Sequence, residues 1–140
     1  MTDHQRRTAT SHPENFVISQ LRLKIEPQSV TYARIFVKTV FGAWSLGVSD
    51  DAELLVSEVV TNVVKHVGKT YRRMHVVVLR LGNRVRIEVH DPSTRPPEQR
   101  EAEELDESGH GLFLVETLSA DWGCSIIPLA GKMVWFEVYA

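Results

Sequence analysis

Two short segments that are predicted to be strands, 75–81 and 84–90, are separated only by the dipeptide Gly82-Asn83. Such a dipeptide between two strand segments is a hairpin signal, because glycine and asparagine accept the positive φ angles of a two-residue turn. The second segment has apolar residues at every other position, namely Val85, Ile87 and Val89. One face of the hairpin is therefore predicted to be buried and the other polar, which favours an antiparallel sheet.

The chain before the hairpin is predicted to form one strand and two helices. Alternation at 16–25 indicates a strand, and helical periodicity follows at 29–44. A second helix begins at Asp50, where Glu53 gives a capping-box-like start, and Gly68 is its predicted C-cap.

The chain after the hairpin adds one helix and two strands. The helix is predicted to follow the Gly109-His110-Gly111 turn, and strands are predicted at 124–128 and 133–139, joined around Gly131. The resulting order is β-α-α-β-β-loop-α-β-β. Because the strands come largely in hairpins with helices between them, this order predicts an α+β fold. We expect a two-layer α/β sandwich whose mixed, mainly antiparallel sheet has helices on one face.

The length of 140 residues suits a single domain. Residues 1–13 are polar and are predicted to form a disordered tail, which leaves 14–140 as the domain. The segment 92–108 differs from the rest, because it holds three prolines, many acidic residues and only two apolar ones. Loops this long are usually functional or disordered, so this one is predicted to be mobile.

Charge and cysteine content exclude several functional classes. A net charge of -2 offers no electrostatic reason for nucleic-acid binding. The single cysteine, Cys124, cannot form an intrachain disulfide or a zinc site of several thiolates. The polar N-terminus does not resemble a signal peptide, and no apolar run reaches the roughly 18 residues of a membrane span. We therefore expect a cytoplasmic protein with no nucleic-acid or membrane partner.

A polar ridge runs along the second predicted helix. Glu58, Asn62 and His66 follow one another at four-residue spacing, so they share one side of the helix at the edge of its apolar arc. Polar groups beside a core need partners, which the protein or a ligand can supply. A hydrogen-bonded helix edge is the commoner explanation of such a pattern, and a ligand site is the alternative.

Asp91 stands at the end of the second hairpin strand, in phase with the buried Val89. Its carboxylate is therefore predicted to face the helix-covered side of the sheet. A carboxylate there can accept a hydrogen bond from an exocyclic amine such as that of adenine. The alternative is an ordinary turn-starting aspartate before Pro92.

A glycine-rich turn, Gly109-His110-Gly111-Leu112, opens the third predicted helix. Free backbone N–H groups and the positive end of a helix favour a phosphate group, and glycine lets the backbone approach an anion closely. A simple helix N-cap with flexible glycines is the alternative.

Taken in order, these parts resemble the GHKL ATPase superfamily, which includes gyrase-type ATPases and histidine-kinase catalytic domains. In that superfamily's terms, Glu58 to Asn62 is similar to the N box and 90–93 to the adenine-binding G1 box. Residues 109–112 are similar to the G2 box, and 92–108 to the ATP lid. The resemblance implies the Bergerat fold.

Within the superfamily, the chain most resembles the RsbW/SpoIIAB-type anti-sigma serine kinases, especially the short actinobacterial versions. The phrases that carry this resemblance are 33–37, Leu55 to Asn62 and Gly131 to Phe136. It covers residues 27–139, which is nearly the whole predicted domain.

This resemblance implies cofactors, residue roles and partners. Asn62 would ligate Mg²⁺ between the ATP phosphates. Glu58 would either act as the general base for an attacking hydroxyl or orient that hydroxyl. The implied ATP-binding positions are Asn62, Asp91, Ser93, Gly109, His110, Gly111 and Leu112. The substrate would be a Ser or Thr of an anti-sigma antagonist, the other partner would be a sigma factor, and a homodimer is expected by analogy.

Two positions depart from the family pattern. Ser93 stands where the G1 box usually has glycine, and Met133 stands where a threonine usually supports the adenine-binding aspartate. Both favour the alternative function, a non-catalytic module of the same fold that captures a sigma factor or a signalling protein. The retention of Glu58 and Asn62 favours the kinase. A histidine-kinase catalytic domain is less suitable, because the chain has no room for a helix pair with a phospho-accepting histidine.

Overall fold

Five strands and three helices make up the part of the chain that the structure describes. The structure is a computed structural model that describes residues 16–67, 71–93 and 110–140. In chain order, the elements are β1 (Phe16–Lys24), α1 (Ser29–Ala43), α2 (Asp50–Val67), β2 (Arg73–Leu81), β3 (Arg84–Asp91), α3 (His110–Leu118), β4 (Asp121–Ile127) and β5 (Gly131–Tyr139). This order confirms the predicted one.

Several predicted features lie outside the described residues. These are the disordered tail at 1–13, the C-cap at Gly68, the phosphate-binding Gly109, and all of the mobile loop at 92–108 except its first two residues. They remain predictions, as does the domain boundary at residue 14.

The strands form one sheet in the spatial order β1-β2-β3-β5-β4. All neighbouring pairs among these described strands are antiparallel. β2 and β3 form the predicted hairpin, in which Leu81 faces Arg84 and Gly82 has a positive φ of 64°. β3 therefore occupies the middle of the sheet, and the prediction of a mainly antiparallel sheet is confirmed.

The helices cover one face of this sheet. α2 packs against β3 and also contacts α1 and α3. Along β3, buried side chains alternate with half-buried ones, so one face of the strand joins the core. The buried side of α2 consists of Ala52, Leu55, Val56, Val59, Val60, Val63 and Val67. This amphipathic pattern places the core between the two predicted layers. Within the described ranges, no helix is long and apolar enough to cross a membrane.

The start of α2 differs in detail from its prediction. The helix does begin at Asp50, but the carboxylate of Glu53 accepts a hydrogen bond from the hydroxyl of Ser49. The backbone N–H of Glu53 also donates to the carbonyl of Ser49, at 2.8 Å. Ser49 therefore takes the capping position, because a hydroxyl just before the first turn reaches Glu53.

The boundaries of the last three elements also shift. α3 begins at His110, so His110 and Gly111 lie within the first helical turn and not in a turn before it. β4 begins earlier than predicted, and the connection to β5 is at 128–130. Gly131 is the first residue of β5 and pairs with Ile127.

Candidate functional site

The carboxylate of Asp91 lies at the end of β3, on the helix-covered side. The residue is 4% exposed, which confirms the orientation predicted from its phase with Val89. Its Oδ1 atom accepts a hydrogen bond of 2.8 Å from the backbone N–H of Ser93. Ser93, which stands where the family usually has glycine, is itself buried. Its backbone N–H helps to hold the aspartate in place.

The second oxygen of this carboxylate faces a buried lysine. Asp91 and Lys132 pair across β3 and β5, and Lys132 Nζ lies 3.4 Å from Asp91 Oδ2. The two side chains are 1% and 0% exposed. Among the described residues, Oδ2 accepts no hydrogen bond of good geometry. A fully buried ion pair of this kind costs much desolvation, so its presence is weak evidence for a contribution to stability.

Sequence analysis missed Lys132 and assigned its place to Met133. The register corrects this assignment, because Met133 lies opposite His90 and Lys132 lies opposite Asp91. Side chains alternate along a strand, so position 133 faces away from the aspartate. The signal was present in the sequence: Lys132 is in phase with the buried Phe136 of the same strand.

A close backbone contact supports this end of the sheet. Gly131 has φ of 127°, and a Cβ atom placed there would lie 2.1 Å from the carbonyl oxygen of Asp91 and 2.7 Å from Cα of Pro92. Only glycine fits such an approach at this backbone angle. The chain segments that carry Asp91 and Lys132 are therefore held together by backbone packing as well as by charge.

The predicted polar ridge is present on α2. Glu58, Asn62 and His66 are each half-buried on this helix, which packs on β3. Within the described residues, the side chains of Glu58 and Asn62 form no hydrogen bond or ion pair with the protein. The predicted hydrogen-bonded helix edge is therefore not what these two side chains form. Half-buried polar groups without a protein partner are available to a ligand.

At the N-terminus of α3, the structure describes three of the four residues of the predicted phosphate-binding turn. His110, Gly111 and Leu112 form its first turn. The first N–H groups of a helix have no intrahelical acceptor, and they attract phosphate. α3 packs against α2, which brings this terminus to the helix layer that also carries Glu58 and Asn62.

The described side chains suit Mg²⁺ only together with a bound phosphate. They include no group of three or more His, Cys, Asp or Glu residues placed to hold a metal ion. Mg²⁺ keeps several waters and is commonly held by few protein oxygens together with substrate phosphates. The single amide oxygen of Asn62 fits that kind of site.

A cavity of about 250 Å³ lies at the same end of the sheet. Asp91 and Lys132 line it together with the basic side chains Arg22, Arg73, His75 and His90. The rings of His75 and His90 stack with centroids 4.4 Å apart. Burial, aided by the charges of His90 and Arg22, lowers the pKa of His75. The cavity was not predicted from the sequence, because its lining residues come from all five of the described strands.

The face of β3 that carries no helix holds a separate set of charges, which we call the open-face network: Arg84, Arg86, Glu88, His90 and Glu137. Glu137 accepts from Arg84 at 2.9 Å and from Arg86 at 3.2 Å. Glu88 contacts Arg86 at 3.0 Å and His90 at 2.9 Å. The hydrogen bond with His90, more than the nearby Arg86, lowers the pKa of Glu88.

Comparison with known proteins assigns the chain to one family. The family model described as a histidine kinase-like ATPase domain matches residues 23–136, which contain Glu58, Asn62, Asp91 and Lys132. No curated protein matches the chain. The match covers most of the chain, implies ATP binding, and supports the resemblance to the GHKL superfamily. With its antiparallel sheet, one helix layer and buried aspartate at the end of β3, the chain belongs to the histidine kinase-like ATPase domain family.

Proposed function

We propose that the chain is a GHKL-type serine/threonine kinase that binds Mg²⁺-ATP and phosphorylates an anti-sigma antagonist protein. Its second partner is a sigma factor, which it sequesters. Family membership supports ATP binding, and the narrower role rests on the resemblance to RsbW/SpoIIAB-type kinases. The observation that carries the proposal is the pair Glu58 and Asn62, half-buried one helical turn apart and without partners among the described residues.

The two side chains of this pair differ in chemistry, and their roles follow from it. The amide oxygen of Asn62 is a neutral hard ligand, suited to Mg²⁺ between phosphates. The carboxylate of Glu58, about 6 Å further along the helix axis, accepts the proton of the attacking Ser or Thr hydroxyl. A new bond forms between that hydroxyl oxygen and the γ-phosphorus, the bond to the β–γ bridging oxygen breaks, and ADP leaves.

The remaining contacts to ATP follow from the same arrangement. Asp91 accepts a hydrogen bond from the adenine amine, and Ser93 holds the aspartate through its backbone N–H. The N–H groups of His110, Gly111 and Leu112, together with Gly109, bind the phosphates. Positioning and neutralisation of charge supply most of the catalysis in phosphoryl transfer. The residues named here provide both kinds of contact.

A second candidate function is a non-catalytic module of the same fold that captures a regulatory protein. The observation that favours it is the buried Ser93, which stands at the position where the family usually has glycine. In that case ATP turnover is weak or absent. The kinase is the better supported of the two, since a module without catalysis has no need of a glutamate such as Glu58, which has no partner among the described residues.

The test measures ATP binding and phosphate transfer separately. Isothermal calorimetry with Mg²⁺-ATP gives the affinity, and transfer of labelled γ-phosphate is followed to an antagonist recovered from native lysate. Glu58→Ala should keep ATP affinity and lose about 10²–10⁴-fold in transfer rate, because it removes the general base. Asn62→Ala should lose Mg²⁺-dependent binding itself.

The matched control is Glu116→Ala, which removes an exposed glutamate from α3 and should leave both measurements unchanged. Wild type that binds ATP and its antagonist but transfers no phosphate would replace the kinase with the binding module. Wild type that binds no ATP would overturn the nucleotide function altogether.

A further inference from the structure

We infer that Lys132 is a positioning residue that makes Asp91 selective for an amine-bearing purine, that is, for adenine over a 6-oxo purine. This inference rests on the proposed ATP binding and names a determinant of base specificity within that site. The residue lies on β5, within the phrase Gly131 to Phe136 that carries part of the family resemblance, but the resemblance gives it no role.

The two oxygens of Asp91 have different environments. Oδ1 is taken by the backbone N–H of Ser93 at 2.8 Å. Oδ2 faces Lys132 Nζ at 3.4 Å and, among the described residues, accepts no hydrogen bond of good geometry. A carboxylate oxygen has about two acceptor positions. Oδ2 therefore keeps an acceptor position for the amine of a base while the ammonium flanks it.

The charge of Lys132 is what lets this carboxylate act as an acceptor at a buried position. The Asp91 side chain is 1% exposed, and an uncompensated charge there would be strongly disfavoured. Without the ammonium, the carboxylate would turn towards water. This change removes the acceptor from the place where a 6-amino group would meet it, and a 6-oxo group gains nothing from it.

The backbone geometry shows that the pair is built into the sheet. Asp91 and Lys132 are directly opposite in the β3–β5 register, and Gly131 brings the two segments into contact. In this register the side chain of Lys132 is 0% exposed, and its Nζ lies 3.4 Å from Oδ2 of Asp91. Its position relative to Oδ2 is thus set by the sheet.

The test compares ATP with inosine triphosphate, which differs in carrying an oxygen in place of the 6-amino group. By calorimetry, wild type should bind ATP at least about tenfold more tightly than inosine triphosphate. Lys132→Met keeps the chain length without the charge. It should weaken ATP binding roughly 10- to 100-fold, as expected for one charge-assisted hydrogen bond, and leave inosine triphosphate within about twofold. The matched control, Lys38→Met, removes an exposed lysine of α1 and should change neither affinity.

A structural role for Lys132 predicts a different outcome. If the role is only structural, Lys132→Met should weaken the binding of both nucleotides equally. An unchanged ratio between the affinities for ATP and inosine triphosphate would therefore overturn the inference while leaving ATP binding in place. Equal or tighter ATP binding by Lys132→Met would do the same, since it would mean that the lysine blocks the aspartate. Failure of wild type to bind either nucleotide would overturn both this inference and the proposed function.

A double variant keeps the inference testable if Lys132→Met does not fold. Asp91→Asn/Lys132→Met contains neither buried charge. If Lys132 acts through Asp91, this double variant and Asp91→Asn should bind ATP with affinities within about twofold of each other. A larger difference would show that Lys132 acts on the nucleotide by another route, which overturns its role as a positioning residue.

Discussion

On the helix-covered side of β3, the carboxylate of Asp91 and the ammonium of Lys132 face each other out of contact with solvent. The open side of the same strand carries the open-face network, in which several charged side chains contact one another. The buried pair is separated by 3.4 Å, with side chains 1% and 0% exposed. The open-face network has shorter contacts of 2.9–3.2 Å, but its side chains are 11–34% exposed. Contact length alone therefore does not show which of the two sets contributes more to stability.

The difference in solvent exposure indicates how much each set of charges contributes to stability. Solvent screens charges at the open face, and each pair there stabilises the fold by little. Arg86 also stacks on Trp135 at 4.0 Å, so part of its contribution is packing. In the buried pair, loss of one partner leaves an uncompensated charge in an apolar layer. One set tolerates substitution, and the other is sensitive to it.

The largest expected effect comes from breaking the buried pair. Lys132→Met should lower the free energy of unfolding by about 3–5 kcal/mol, because it leaves the carboxylate of Asp91 buried without compensation. Urea denaturation followed by circular dichroism measures this loss. Asp91→Asn/Lys132→Met should recover much of it.

Glu137→Gln is the matched variant on the open face. It removes the negative charge that Arg84 and Arg86 contact and should cost about 1 kcal/mol or less. If Lys132→Met costs no more than Glu137→Gln, the proposed contrast between the two faces does not hold.

Substitution of two glycines tests the same comparison between the two faces, with a smaller expected loss of stability. Gly131→Ala forces an unfavourable φ of 127° and drives a Cβ into backbone of Asp91 and Pro92, so it should cost about 1–3 kcal/mol or more. Gly123→Ala meets only the ring of Trp135 on the open face, at 2.8 Å, and a side chain can move. Thermal melts of both variants should rank Gly131→Ala as the more destabilising. The reverse ranking would show that the Asp91 end of the sheet is the more adaptable region.

The smallest effect is the dependence of stability on pH at the open face. The pKa of His75 is lowered from 6.5, so the unfolded chain binds more protons, and stability falls as the pH drops below about 6.5. The pKa of Glu88 is lowered from 4.5, so its contribution is present above that pH and is lost as the pH falls through its folded value.

Unfolding measured between pH 7.5 and pH 5.5 should therefore show a gradual loss, and His75→Gln should reduce that loss. Arg22, Glu88 and His90 remain in this variant, so the part of the pH dependence that it removes belongs to His75. An identical pH dependence in His75→Gln and wild type would contradict the assignment.

Local patterns were enough to predict the elements, the burial of Asp91 and the positions of Glu58 and Asn62 on α2. The Gly82-Asn83 turn and the alternation along β3 predicted the hairpin and the burial of Asp91, because strand periodicity acts over a few residues. The i, i+4 spacing placed Glu58 and Asn62 on one side of α2. The capping partner of Glu53 was missed, since Ser49 and Asp50 are both good capping residues and only the backbone geometry distinguishes them.

The sequence by itself determined which faces of β3 and α2 are apolar and where their polar exceptions stand, because side-chain periodicity follows from backbone geometry alone. Only the tertiary structure decided which residue meets Asp91. That choice depends on the register between β3 and β5, which are about 40 residues apart in the chain. A shift of one residue would put Met133 there in place of Lys132, and the buried carboxylate would face a thioether with no charge to compensate it.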